Sequence, residues 1–162
     1  MDLAPNVPEE ARRLFEQAYS AQIDGRLDEA TELYKRSIAS WPTAEAHTFL
    51  GWVYSMQRRW DAAIDECHLA IAVDPDFGNP YNDIGAYLIE LGRMDEAISW
   101  LERAKHAVRY EPRHFPHQNL SRIHTARHDI VVAARELRRV VEIEPRHTGA
   151  HRELHRLLGL MN

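Results

Sequence analysis

The side chains best suited to chemistry in this 162-residue chain are its ten histidines. His114, His117, His124 and His128 cluster in one stretch, and His147, His151 and His155 follow an i, i+4, i+8 spacing. On a helix that spacing puts imidazoles on one face, where two neutral rings one turn apart chelate a transition metal and several together titrate near neutral pH. The sequence completes neither device. No His-Glu-x-x-His pattern occurs, and no cysteine or carboxylate finishes a coordination shell, so no metal and no cofactor is assigned. A histidine-based metal or pH sensor stays as a minor alternative. Cys67 is the single cysteine. It excludes a disulfide scaffold and a thiolate-rich zinc site, reads as a small core hydrophobe, and fits a reducing, cytoplasmic setting. No nucleophile–base pair, phosphate-cradling glycine loop or suitably spaced carboxylate pair is present, so the chain is read as non-enzymatic. Asp28–Glu29 and Asp95–Glu96 read instead as acidic helix starts that complement the helix dipole.

Charge divides the chain. Residues 1–102 carry 8 Lys and Arg against 19 Asp and Glu, whereas residues 103–162 carry 12 against 6, so the net charge of -5 averages an acidic and a basic part. Such asymmetry steers partners or drives head-to-tail association, which keeps homo-oligomerisation open. The acidic total and the lack of a known motif argue against nucleic acid. No apolar run is long enough for membrane insertion, and Met1–Glu10 lacks the basic start and apolar stretch of a secretory signal.

The positioning elements emerge from a repeat. Pro42, Pro75, Pro112 and Pro145 punctuate the chain at spacings of 33, 37 and 33, and Ala30, Ala63, Ala97 and Ala133 keep step at 33, 34 and 36. Between them lie two helix-period segments per unit and no strand signal. First helices are expected over Glu9–Gln22, Ala44–Met56, Pro80–Leu91 and Pro116–Arg127. Second helices are expected over Leu27–Ser40, Trp60–Val73, Met94–Val108 and Ile130–Ile143, with a last helix over Gly149–Leu160.

His47, Leu50, Gly51 and Tyr54, followed by Ala63, Cys67, Ala70 and Pro75, resemble the tetratricopeptide repeat. Tyr81, Ile84, Gly85, Leu88, Gly92, Ala97, Leu101, Ala104 and Pro112 repeat the pattern. Leu14, Ala18, Gly25, Ala30, Tyr34 and Pro42 keep much of it, and His117, Leu120, Ser121, Ala133, Leu137 and Pro145 form the most divergent copy. The resemblance covers about residues 9–160. It implies an all-α, right-handed solenoid of four helix-turn-helix repeats (about 11–43, 44–77, 78–113 and 114–147) plus a capping helix (about 148–161). The 162 residues are read as one domain, a complete small adaptor. Small residues at Gly51, Gly85, Ala30, Ala63 and Ala97 are expected where paired helices cross closely. The extra residues around Tyr110–Pro116 are expected to lengthen the second helix of the third repeat or add a turn.

By the same resemblance, first helices line a concave face that binds a protein or peptide partner, without catalysis. The inward register places Phe15, Tyr19, Phe49, Trp52 and Met56 in an aromatic N-terminal half and Asn82, Asp83, Gln118, Asn119 and Arg122 in a polar C-terminal half. The aromatics are expected to anchor an apolar segment, and Asn82, Asp83, Asn119 and Arg122 to read polar groups. Packing of the aromatics against Met1–Val7 is the competing reading. Some family members grip the C-terminal carboxylate of heat-shock chaperones through Lys, Asn, Asn, Lys and Arg. One register gives Phe15, Tyr19, Phe49, Asn79 and Asp83 here; the shifted register gives Thr48, Trp52, Asp83, Phe115 and Asn119. Neither holds a basic pair, and Asp83 repels a carboxylate, so no chaperone-tail clamp is expected. A self-assembling unit joined through its acidic and basic ends is the alternative function.

Overall fold

The computed structural model describes residues 3–111 and 113–161; Pro112, one of the repeat's punctuating prolines, lies outside them. The described helices are α1 (Glu9–Ile23), α2 (Leu27–Ser40), α3 (Ala44–Met56), α4 (Trp60–Val73), α5 (Asn79–Glu90), α6 (Met94–His106), α7 (His114–Ala126), α8 (Ile130–Ile143) and α9 (Thr148–Gly159). Each packs on the next, and α1, α3, α5 and α7 also touch in sequence, which makes them one continuous inner row of a solenoid.

Local chemistry sets the helix ends. The Thr43 hydroxyl accepts from the Ala46 amide at 3.1 Å, and His147 Nδ1 accepts from the Ala150 amide at 3.1 Å, so each caps a helix start. Acidic pairs open α1, α2 and α6. The turn inside each repeat needs one left-handed residue. Gly25 and Gly92 fill that place at φ of 76° and 74°, whereas Arg58 and His128 occupy it at 59° and 60°. The two non-glycine turns therefore carry backbone strain that the glycine turns avoid.

The paired helices cross where the sequence is small. A Cβ on Gly51 would lie 3.0 Å from the Ala63 carbonyl oxygen, and one on Gly85 would lie 2.5 Å from Leu101. Ala30, Ala63, Ala97 and Ala133 are fully buried. One turn before each small crossing residue sits a pair that alternates in character. His47 Nδ1 meets Glu66 at 2.7 Å and His117 Nδ1 meets Glu136 at 2.6 Å. The equivalent place in the third repeat packs Tyr81 at a tilt against Trp100, with ring centroids 6.0 Å apart. Two of the ten histidines are thus accounted for as packed, hydrogen-bonded replacements for an aromatic. Burial alone would raise the Glu136 carboxyl. The His117 hydrogen bond and the nearby Lys105 outweigh it and hold Glu136 below the ordinary range.

The third repeat departs from expectation. Its second helix is not lengthened: α6 stops at His106, residues 107–111 run as an extended strap, and α7 begins at His114. The Gly78 amide donates to the Arg109 carbonyl (2.9 Å) and the Arg109 amide donates to the Asp76 carbonyl (3.0 Å), making an isolated parallel bridge between Phe77 and Arg109. The Arg109 guanidinium donates to Glu45 and Asp74 and lies 4.3 Å over the Phe77 ring. Tyr110 is buried against the loop. These non-local contacts outcompete another helical turn, which would have left Tyr110 and Arg109 without them.

Gly78 is what lets the strap seat. A Cβ there would fall 2.4 Å from Tyr110 Cβ and 2.8 Å from Ala107 Cβ. Gly78→Ala is expected to lift the strap and cost about 1–3 kcal/mol, the range for overpacking a tight site. Thermal unfolding measures the loss, and accelerated hydrogen exchange at the Arg109 amide locates it.

Candidate functional site

The inner row carries a connected set of rings. Tyr34, fully buried on α2, donates its hydroxyl to Gln22 at 2.9 Å. Its ring meets Phe15 edge-on at 5.5 Å, Phe15 meets Phe49 at 5.4 Å, and Phe49 meets Tyr19 and Trp52, each at 5.6 Å. These edge-to-face contacts hold the set rigid. Depth separates its members. Phe15 and Phe49 are only 4% and 7% exposed, whereas Tyr19, Trp52 and Met56 are 44%, 48% and 48% exposed. Of the four rings expected to anchor a partner, two form a buried floor and the other two an exposed rim. Phe15 and Phe49 are sealed by Tyr34 beneath them and by each other.

The N-terminal segment contributes too. Leu3 and Val7 join the buried cluster that includes Phe15. The Arg12 guanidinium pins them by donating to the carbonyls of Leu3 (3.4 Å) and Ala4 (2.9 Å). Leu3, Phe15, Glu16, Tyr19, Phe49 and Trp52 enclose a cavity of about 280 Å³ at this end of the row.

Trp52 and Phe49 also wall a second cavity of about 470 Å³, which continues across Asn82, Asp83, Phe115 and Asn119. Here the polar residues are linked to one another. Asn82 donates to Asp83 at 3.3 Å, Asn119 donates to Asn82 at 3.1 Å, and Arg122 reaches Asn119 at 3.4 Å and Glu90 at 3.3 Å. Asn82 is buried, and its amide is already paired with Asp83 and Asn119. Burial pushes the Asp83 carboxyl up to about 7, opposed by the Asn82 hydrogen bond. Tyr110 and Glu111 of the strap close one side. Sequence periodicity missed both, because only the fold-back of the strap brings them there.

A third cavity, about 560 Å³, opens between α7 and α9 and is lined by Ser121, Arg122, Ile123, Leu137, His147 and Glu153. Of the residues expected to bind, only Arg122 reaches it. His114 and His147 approach with ring centroids 5.6 Å apart, but among the described residues no three His, Cys, Asp or Glu side chains gather as a metal site. Cys67 is fully buried, and burial pushes its thiol up, which leaves it unreactive. No described helix is long and apolar enough to cross a membrane.

Repeated pairs of helices, small crossing residues and a groove on the first-helix face agree with the family profile described as Tetratricopeptide repeat, which matches residues 15–76 and, in a second form, 79–105. The chain belongs to the tetratricopeptide repeat family. Its all-α solenoid is shared with solved tetratricopeptide repeat proteins. One is PilF of Pseudomonas aeruginosa, at TM-score 0.87 and 20% identity over 94% of this chain and 69% of that one. A second is PilW, a widely conserved type IV pilus biogenesis factor, at TM-score 0.84 and 19% identity over 94% and 70%. A third is YrrB, a tetratricopeptide repeat protein with an unusual peptide-binding site, at TM-score 0.70 and 16% identity over 88% and 73%. No curated protein sequence matches significantly. Tetratricopeptide repeats are in general protein–protein interaction modules, and nothing in this one shows catalytic activity.

Proposed function

We propose that this tetratricopeptide repeat protein is a non-catalytic adaptor that binds a peptide or helix of a partner protein in its concave groove, acting as a single domain in the cytoplasm. The observation that carries this is the exposed rim of Tyr19, Trp52 and Met56 standing on a rigid floor of Phe15, Phe49 and Tyr34. Large apolar groups held open on a pre-organised surface lower the ordering cost of binding and supply anchor positions. Asn119 and Arg122 then offer polar contacts further along the groove. YrrB, with its peptide-binding site on the same fold, supports the reading.

The test is a display selection of random nonapeptides on the purified protein. Peptides recovered on the wild type are expected to bind Trp52→Ala at least tenfold more weakly, with the helical circular dichroism unchanged, because Trp52 is a rim residue. Unaltered affinity on Trp52→Ala would place binding elsewhere. A self-assembling unit joined through acidic and basic ends is the second reading, favoured by the charge division of the chain. Light scattering distinguishes it: an oligomer without ligand that dissociates with added salt would support assembly.

A further inference from the structure

The groove holds a carboxylate without a counter-charge. Among the described residues no Lys, Arg or His pairs with Asp83; its one hydrogen bond comes from the neutral Asn82 amide. Two acids elsewhere on the first-helix row differ. Glu45 is matched by Arg109, and Glu90 by Arg122. Asp83 faces the cavity shared by Trp52 and Phe115, both of which keep exposed ring surface of 48% and 42%. A second group there is unspent: the Tyr110 hydroxyl is buried on the wall of the same cavity and has no hydrogen-bond partner. Glu111 adds negative charge beside it.

A carboxylate in a half-dry pocket, flanked by aromatic faces, suits a long side chain with an apolar stem and a charged head. We infer that the groove is built for a lysine or arginine of the partner's peptide, its charged head meeting Asp83 and its stem lying on Trp52 and Phe115. This rests on the proposed groove reading and adds the chemistry of the occupant. Charge complementarity carries it. The unpaired groove charge is negative, whereas an acidic segment would meet Asp83 and Glu111 as repulsive neighbours.

The binding is linked to protons. A cation requires ionised Asp83, and in the free protein that carboxyl titrates at about 7. The titratable groups around it are Cys67 on α4, Tyr87 on its own helix, and Tyr110 and Glu111 on the strap. Burial holds the Cys67 thiol and both phenols protonated through neutral pH. From α3 and α7 it meets Thr48, Trp52, Phe115 and Asn119, none of which titrates. Arg122, the nearest cation on α7, is engaged with Asn119 and Glu90. Affinity for a basic, histidine-free peptide therefore rises by about tenfold between pH 6 and pH 8, while the peptide's own charge stays constant.

The nonapeptide selection decides the matter when each recovered peptide is measured on wild type, Trp52→Ala and Asp83→Asn. The expected result is enrichment of Lys or Arg next to an apolar residue, at least tenfold weaker binding on Asp83→Asn, and loss of the pH 6–8 rise in that variant. Trp52-dependent peptides that lack basic enrichment, are acidic, or ignore Asp83→Asn would overturn the inference and leave the groove reading standing. Peptides indifferent to Trp52→Ala, or no recovered peptides, would overturn both.

Discussion

Asp83→Asn is expected to stabilise the protein by about 2–4 kcal/mol at pH 8, following from a carboxyl displaced from 3.8 to about 7 at 1.36 kcal/mol per pH unit. The sign follows from the protons bound. Between pH 4 and pH 7 the unfolded chain has released the Asp83 proton and the native state retains it. Unfolding then releases a proton, and stability falls as pH rises through that window. Above pH 7 the native state holds an ionised carboxylate in a poorly solvated pocket and the full cost is present. Asparagine has the same shape and no charge to bury. Chemical denaturation from pH 4 to pH 8 is the measurement. The stability gap between variant and wild type is expected to widen from pH 4 to pH 7 and then level off, while Glu136, Asp74 and His114, each held below its ordinary range, raise both curves alike. Equal curves for the two proteins would show that Asp83 is solvated in the native state. A residue that lowers stability inside a groove is what a binding role would retain, because a partner's cation would offset the cost.

Leu101→Ala is expected to destabilise by about 2–5 kcal/mol, the range for emptying a fully buried leucine position. Leu101 fills the space above Gly85, where an added Cβ would come within 2.5 Å of it. That closeness makes the pair interdependent. Gly85→Ala alone forces Leu101 to shift and also loses stability, whereas Gly85→Ala combined with Leu101→Ala relieves the overlap. The double variant is expected to lose less than the two single losses added together. Simple additivity in urea denaturation would mean that the α5–α6 crossing is looser than the geometry indicates.

Much of this architecture was legible in the residues themselves. The bounds of α2, α3, α4 and α8 follow directly from periodicity and turn residues, because each is closed by local chemistry such as the Thr43 cap or the left-handed turn residue. The family emerged from Gly51, Ala63, Gly85 and Ala97, whose smallness has a packing cause. The end of α6 was not legible. It is decided by Arg109 and Tyr110 reaching Glu45, Asp74 and Gly78, partners up to 64 positions away. The groove divides in the same way. Helical spacing identifies which side chains face inward. It does not give their depth, which depends on how α1 leans on α3 and on Tyr34 rising from the second helix. Phe15 and Phe49 therefore read like Tyr19 and Trp52 in sequence and differ in the fold. The isolation of Asp83 from any cation is likewise a property of the assembled groove.

We propose the first-helix face between α1 and α7 as the place where a partner docks. Its most direct test is a titration of isotope-labelled protein with a recovered nonapeptide, followed through backbone amide shifts and the Trp52 indole resonance. The largest shifts are expected at Tyr19, Trp52, Asp83 and Asn119, with α4, α6 and α8 little changed on their outer faces. Shifts concentrated on those outer faces, or around α9 with Trp52 unmoved, would contradict it.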